Sequence, residues 1–240
     1  MGRVFVTGDI HGNPRRLSLK NWEESRKLTK EDVIIVLGDF GLIWSEYRSK
    51  EEDYWLEWLD DRPFTTCFID GNHENFVILN NLPQKLKFGG SVGIAGHSIF
   101  HLQRGQIYRI NNLKLLTIGG AHSHDRQYRT WGKSMWKEEE ITDSDITQAK
   151  STLEANGFSA DYILSHCAPV SKARGCMPKE LSHIWTPDAS EERLQEIFDH
   201  HIFYTKWYCA HYHTDHGPTY DGKFECINEQ IVELKRVDED

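Results

Sequence analysis

Residues 33–39 read VIIVLGD. Five aliphatic residues in succession, four of them β-branched, predict a strand buried on both faces, as in the parallel sheets of α/β proteins. Gly38-Asp39 then turns out of that strand and leaves a carboxylate at its carboxyl end. The same figure recurs along the chain. Residues 3–8 (RVFVTG) lead into Gly8-Asp9-Ile10-His11-Gly12. Thr66–Ile69 leads to Gly71-Asn72-His73-Glu74, Tyr162–Ser165 to His166, and Trp207–Ala210 to His211-Tyr212-His213. Open α/β sheets bind ligands beyond the carboxyl ends of their strands. The five polar clusters are therefore expected to converge on one place.

The intervening segments complete an α/β pattern. Asn13-Pro14 reads as an N-cap and an N1 proline opening a helix to about Lys27. Ser49 and Glu52 have capping-box spacing ahead of YWLEWL at 54–59. Further helices are expected at Asn75–Leu79, at Asp145–Asn156 with Gly157 as its stop, and at Glu191–His200. From about 90 to 120, short alternating runs broken by glycine and Asn-Asn predict antiparallel hairpins. Residues 121–142 read as an irregular polar loop, with the Lys137–Glu140 charge run a solvated face or a helix start. The order predicts two sheets with outer helices, in one domain over residues 1–240.

The chain has 240 residues and a net charge of −9, with a pI near 5.8. That balance opposes a protein that coats nucleic acid, which needs clustered cations, but leaves room for a nucleotide or nucleic-acid end held through metal. At 38% hydrophobic and 12% aromatic residues it is not a disordered composition. No apolar run approaches the ~20 residues of a membrane span. MGRVFVTGD lacks a basic-then-apolar leader, so the expected compartment is the cytoplasm, with no membrane and no obligate protein partner. The five cysteines are odd in number and have no CxxC spacing. They predict reduced core thiols rather than a disulfide framework or a cysteine-zinc site.

Asp9, Asp39, Asn72, His11, His166, His211 and His213 form a donor set of hard oxygens and imidazoles. Such a mixture suits Mn, Fe, Zn or Ni and is too rich in imidazole for a Mg or Ca cage. One catalytic zinc takes about three protein ligands. Seven ligands match two divalent or trivalent transition-metal ions ~3.5–4 Å apart. Asp39 is the expected bridge, because a carboxylate between two cations offsets their repulsion.

GDIHG, GD, GNHE and AHYH, in that order, resemble the calcineurin-like metallophosphoesterase superfamily from Asp9 to His213. GGAHSHDRQYR (119–129) followed by Trp136-Lys137-Glu138-Glu139 resembles a compact bacterial and phage-borne branch of it. The resemblance implies a four-layer α-β-β-α sandwich of two mixed sheets, with a dimetal site at the strand carboxyl ends. Asp9, His11, Asp39 and His213 would hold one ion, and Asp39, Asn72, His166 and His211 the other. His73 would be the catalytic histidine that binds no metal and faces the leaving group. The implied reaction is phosphoester hydrolysis by in-line attack of a metal-bridging hydroxide.

Two departures matter. The protein-phosphatase branch carries GDxxDRG, whose second Asp orients the catalytic His and whose Arg grips phosphate. Here the stretch is Gly38-Asp39-Phe40-Gly41-Leu42-Ile43-Trp44, which leaves His73 without an orienting carboxylate. The usual GHxH is Ala210-His211-Tyr212-His213. With that arginine missing, the loop after residue 120 is the expected substrate contact, through Arg126 or Arg129 with His124 assisting. The expected substrate is a small phosphoester. Alternatives are a phosphodiesterase on cyclic nucleotides or nucleic-acid ends, and a catalytically inactive, metal-dependent binding module.

Overall fold

The computed structural model describes residues 2–216 and 221–236. In chain order the strands are β1 (Val4–Thr7), β2 (Val33–Leu37), β3 (Thr65–Ile69), β4 (Gln84–Lys87), β5 (Gly90–Ile94), β6 (Ile99–Leu102), β7 (Gln106–Ile110), β8 (Leu113–Ile118), β9 (Tyr162–Ser165), β10 (Lys206–Cys209), β11 (Phe224–Cys226) and β12 (Ile231–Leu234). They form a seven-stranded sheet, ordered β12-β1-β2-β3-β6-β5-β4, and a five-stranded sheet, ordered β11-β10-β9-β8-β7. Both are mixed. β1, β2, β3 and β6 run parallel in the first, and β8 to β11 in the second. Their outer neighbours β12 and β5, and β7, pair antiparallel.

Strand periodicity builds the layers. Val4, Val6, Val33, Ile35, Leu37 and Ile69 point between the sheets and meet Leu115, Leu164 and Tyr208. The alternate residues Phe5, Ile34, Val36 and Phe68 face outward, onto Trp55 and Leu59 of α1 (Lys50–Asp60). On the second sheet Leu116, Ile118, Ile163 and Trp207 pack against Ile146, Leu153, Leu194 and Ile197. These come from α3 (Asp143–Ala155) and α5 (Ala189–Phe198), between which α4 (Val170–Cys176) lies in sequence; α2 is Phe76–Leu79. The result is the four-layer α-β-β-α sandwich. Among the described residues no helix is long and apolar enough to cross a membrane.

Three segments differ from their sequence reading. The helix expected over 14–27 is two 3₁₀ turns, Pro14–Leu17 and Glu23–Lys27. Side chains compete for the backbone between them. Ser18 Oγ accepts from Asn21 N at 3.3 Å, and Asn21 Nδ2 donates to Arg15 O at 2.9 Å. The short α4 was not anticipated. The loop at 121–142 is irregular, but Ser123, Trp136 and Glu139 are buried in it. The Ser49–Glu52 capping box is present as expected. Glu52 Oε1 also accepts from Trp44 N and Ser45 N, both at 2.8 Å, and so fixes the turn that carries Trp44.

Candidate metal centre

The carboxyl ends of β1, β2, β3, β9 and β10 meet at one edge of the sandwich. Ligating atoms of Asp9, His11, Asp39 and His213 all lie within 4.8 Å of one another. Asp39 faces both halves of the cluster. Its Oδ2 is 3.8 Å from His11 Nε2, and its Oδ1 is 3.4 Å from His166 Nε2. His166 Nε2 is also 3.1 Å from Asn72 Oδ1. The His211 ring lies 4.9 Å from the His166 ring, and its backbone N–H donates to Asp9 Oδ1 at 3.2 Å. The fold thus gathers all seven residues read from the sequence.

The chain is distorted to bring them in. His11, Asp39, His211 and His213 have φ of 43°, 45°, 68° and 52°. Each such left-handed non-glycine residue costs on the order of 1–3 kcal/mol and persists only where surrounding structure imposes it. Two glycines make the approach feasible. A Cβ at Gly38 would sit 2.1 Å from His166 Nδ1, and one at Gly71 2.1 Å from Asp39 Oδ1.

The donor chemistry fits cations. His166 Nδ1 faces Leu37 O at 2.6 Å, where it donates its proton. In the neutral ring Nε2 then carries a lone pair, aimed at the carbonyl of Asn72 and the carboxylate of Asp39. Asn72 keeps its oxygen on that side because its Nδ2 donates to Ser123 Oγ at 3.0 Å. Three acceptors facing one another call for a cation between them, which a metal ion supplies when the ring is neutral and a proton on Nε2 when it is not. In the other half His11 Nε2 and His213 Nε2 meet at 3.1 Å. Asp9 Oδ2 is buried with no hydrogen bond of good geometry, although His213 Nε2 is 3.0 Å away. Burial alone would raise the Asp9 carboxyl, but His166, His213 and His11 outweigh it and hold it well below the usual range. Burial, reinforced by His166, pushes the His211 imidazole well down, so that it stays neutral and able to ligate.

His73 lies just outside this group, its ring 5.5 Å from that of His11. Its backbone N–H donates to Asp39 Oδ1 at 2.8 Å. Burial lowers the pKa of the imidazole. Its Nε2 is 4.0 Å from Asp125 Oδ2, on the loop after β8.

The chain matches the model of the calcineurin-like phosphoesterases over residues 2–215. It belongs to that family. Members of the calcineurin-like phosphoesterase family are metal-dependent hydrolases of phosphoesters, and the Asp9, His11, Asp39 and His213 cluster is in keeping with that membership. Among solved structures, a phosphopantetheinyl hydrolase (PptH) from Mycobacterium tuberculosis is similar to this calcineurin-like chain at 14% identity. That match covers 95% of this chain and 89% of the other, with a TM-score of 0.43, a likeness too distant to bear on substrate. No protein of curated function matches.

The candidate substrate residues of this calcineurin-like chain occupy the loop after β8. The His124 ring lies 5.6 Å from that of His211. Arg126 Nη2 pairs with Glu140 Oε1 at 2.5 Å. Arg129 is almost fully buried and pairs with Glu139 Oε1 at 2.9 Å, while its Nη2 donates to Asn72 O at 3.1 Å and its Nη1 bonds Ser123 Oγ. Both guanidiniums are therefore engaged with carboxylates, Arg126 in a half-exposed pair and Arg129 in a buried one.

Sequence reasoning left two buried glutamates next to Asp39 and Asn72 without a role. Glu74 accepts from Phe40 N at 2.7 Å and Gly41 N at 3.3 Å and clamps the turn after Asp39. Burial, with Asp39 nearby, pushes its pKa well up. Its place in GNHE was the available signal. Glu139 receives Arg129 and Ser123 Oγ, the latter at 2.6 Å, and nothing in its local charge run distinguishes it.

Proposed function

We propose that the chain is a dimetal phosphoester hydrolase. Asp9, His11, Asp39 and His213 would hold one ion, and Asp39, Asn72, His166 and His211 the other. The observation that carries this reading is the convergence of His166 Nε2, Asn72 Oδ1 and Asp39 Oδ1 as mutually facing acceptors beside the four-residue cluster. Two ions of the Mn, Fe, Zn or Ni class would supply Lewis acidity there, to activate the attacking water and to neutralise phosphoryl oxygens.

The chain's own residues do the rest. His73, facing the pocket from beside His11, holds a proton for the leaving oxygen. Asp125 orients its ring. Arg129 is a positioning residue: through Asn72 O, Ser123 and Glu139 it holds the Asn72 side chain toward the site. A cleft of about 550 Å³, lined by His122, His124, Met177, Leu181, Ile184 and Trp185, opens beside His124. It is the natural seat for an apolar or aromatic ester group.

One observation favours a diester as the second reading. A monoester dianion presents a third charged oxygen that wants a guanidinium, and Arg126 and Arg129 are committed to Glu140 and Glu139. A diester monoanion has no such need, and the cleft accommodates a second ester arm such as a nucleoside. The test compares p-nitrophenyl phosphate with bis-p-nitrophenyl phosphate on Mn²⁺-loaded protein. Turnover of at least one, abolished in Asp39→Asn, is expected. Turnover of neither by protein carrying two equivalents of metal would replace the reading with a binding module.

A further inference from the structure

Cys176, Cys209 and Cys226 place their sulfurs within 4.8 Å of one another. They come from three elements, at the carboxyl ends of α4, β10 and β11. Cys209 and Cys226 are register partners on neighbouring parallel strands, so both side chains leave the same face of the sheet. All three are 2% exposed or less. The sequence spacing pointed to isolated core thiols, and the fold instead gathers three of the five at one point.

We propose that these three thiols form a separate structural site for a thiophilic d¹⁰ cation, zinc or copper(I). The donor chemistry sets the class. Three cysteine sulfurs select soft or borderline ions and exclude Mg and Ca, whereas the oxygen and imidazole cluster at the sheet edge takes harder ones. Thr214 Oγ1 lies 3.9 Å from Cys226 Sγ, and three thiolates would leave the fourth position of a tetrahedral ion to a water or other added ligand. Each thiol gives its proton to the buffer as its sulfur–metal bond forms, so loading releases up to three protons.

The position gives the site its role. Cys209 lies two residues before His211. The Thr214 hydroxyl, just past His213, donates to Cys176 O at 2.5 Å. Beyond Cys226, Ile227 N donates to Cys209 O at 2.9 Å and Gly8 N to Asn228 O at 3.1 Å. An ion on the three sulfurs would fasten together the turn carrying His211 and His213, the three-residue edge strand β11, and the approach to Asp9. Without it these segments rest on those backbone bonds, on core packing and on thiol hydrogen bonds from Cys176 to Lys172 O and from Cys226 to Ala210 O and Thr214 O.

The test loads the full chain, reduced and stripped of metal, with Co²⁺, and compares it with zinc-loaded protein by elemental analysis. Three equivalents of metal are expected, with a near-ultraviolet thiolate-to-cobalt charge-transfer band that an oxygen and imidazole site cannot give. Cys226→Ser and Cys176→Ser should lose the band and one equivalent. Asp39→Asn should keep the band while losing metal from the other site, so failure of the hydrolase reading leaves this one intact. Because the band is read in the wild-type chain, poor folding of a cysteine variant does not spoil the experiment. Wild-type protein that shows no band and no third equivalent, or a Cys–Cys disulfide by mass spectrometry of the purified chain, would overturn the proposal.

Discussion

Asp39 is the residue on which both halves of the centre depend, with one oxygen toward His11 and the other toward His166. Asp39→Asn replaces one anionic oxygen by an amide nitrogen that cannot ligate, so we expect bound metal to fall below two equivalents and turnover to vanish. Elemental analysis and an ester assay read both at once, and full occupancy at the wild-type rate would rule the bridge out. His73 calls for the opposite pattern. His73→Ala should keep both ions and lose on the order of 10²–10⁴-fold in rate, the usual worth of a positioned acid. The loss should shrink for p-nitrophenyl esters, whose leaving group needs no proton, and equal losses for p-nitrophenyl and alkyl esters would argue against protonation. Asp125→Asn should give a smaller loss with the same dependence on leaving group, since Asp125 stands 4.0 Å from His73 Nε2 and acts through it.

At the scale of elements, the loop from 121 to 142 behaves as part of the core at one point and as surface at the rest. Its anchor is the Arg129–Glu139 pair, in which the carboxylate is fully buried. Burial raises the Glu139 pKa, and the bonds from Ser123 and Trp136 and the charge of Arg129 oppose that rise. Removing one partner of a buried pair leaves the other charge stranded, at a cost of about 3–5 kcal/mol. Arg129→Ala should therefore lower the unfolding free energy by that order, read from urea titrations, and weaken metal binding through Asn72, with the second ion lost first. A variant as stable as the parent would show that the pair does not order the loop. This anchor was illegible in the sequence because burial of Glu139 is a tertiary fact, while the adjoining Lys137 and Glu138 read as solvated. The strand ends were legible for the converse reason. Runs such as VIIVL carry their burial in their own composition, and Gly-Asp or Gly-Asn-His after them marks the turn. The segment at 14–27 shows the limit of local signals, since Asn13-Pro14 does start a turn but Ser18 and Asn21 divert the backbone before a helix can propagate.

Across the whole molecule, the two-sheet architecture and the convergence of the ligand residues follow from strand-end positions that a single pass along the chain can find, whereas the order of strands within each sheet does not. The three-cysteine cluster does not, because Cys176, Cys209 and Cys226 are brought together only by the register of β10 on β11 and the docking of α4. Glu191, on α5, belongs to the same hidden class and gives the fold a measurable pH dependence. It is fully buried and accepts from Tyr212 Oη at 2.7 Å and Trp185 Nε1 at 3.2 Å, so it links the outer helix to the turn between His211 and His213. Burial, with the charge of Asp188 adding to it, pushes its pKa from 4.5 up to about 7. The sign follows from proton counting. Between those two values the folded chain holds a proton that the unfolded chain has released, so stability falls as pH rises through the window and levels off above it. At about 1.4 kcal/mol per pH unit the full effect is on the order of 3–4 kcal/mol. Glu191→Gln keeps an oxygen acceptor for Tyr212 and removes the charge. Its stability should therefore be nearly flat where the parent declines, and the gap between them should widen from pH 5 to pH 8. Urea midpoints of the two proteins at equal metal loading measure that gap directly, because every other titrating group cancels in the difference. Parallel curves for parent and variant would mean that Glu191 ionises as easily folded as unfolded, and that solvent reaches it at the junction of α5 with the ligand turn.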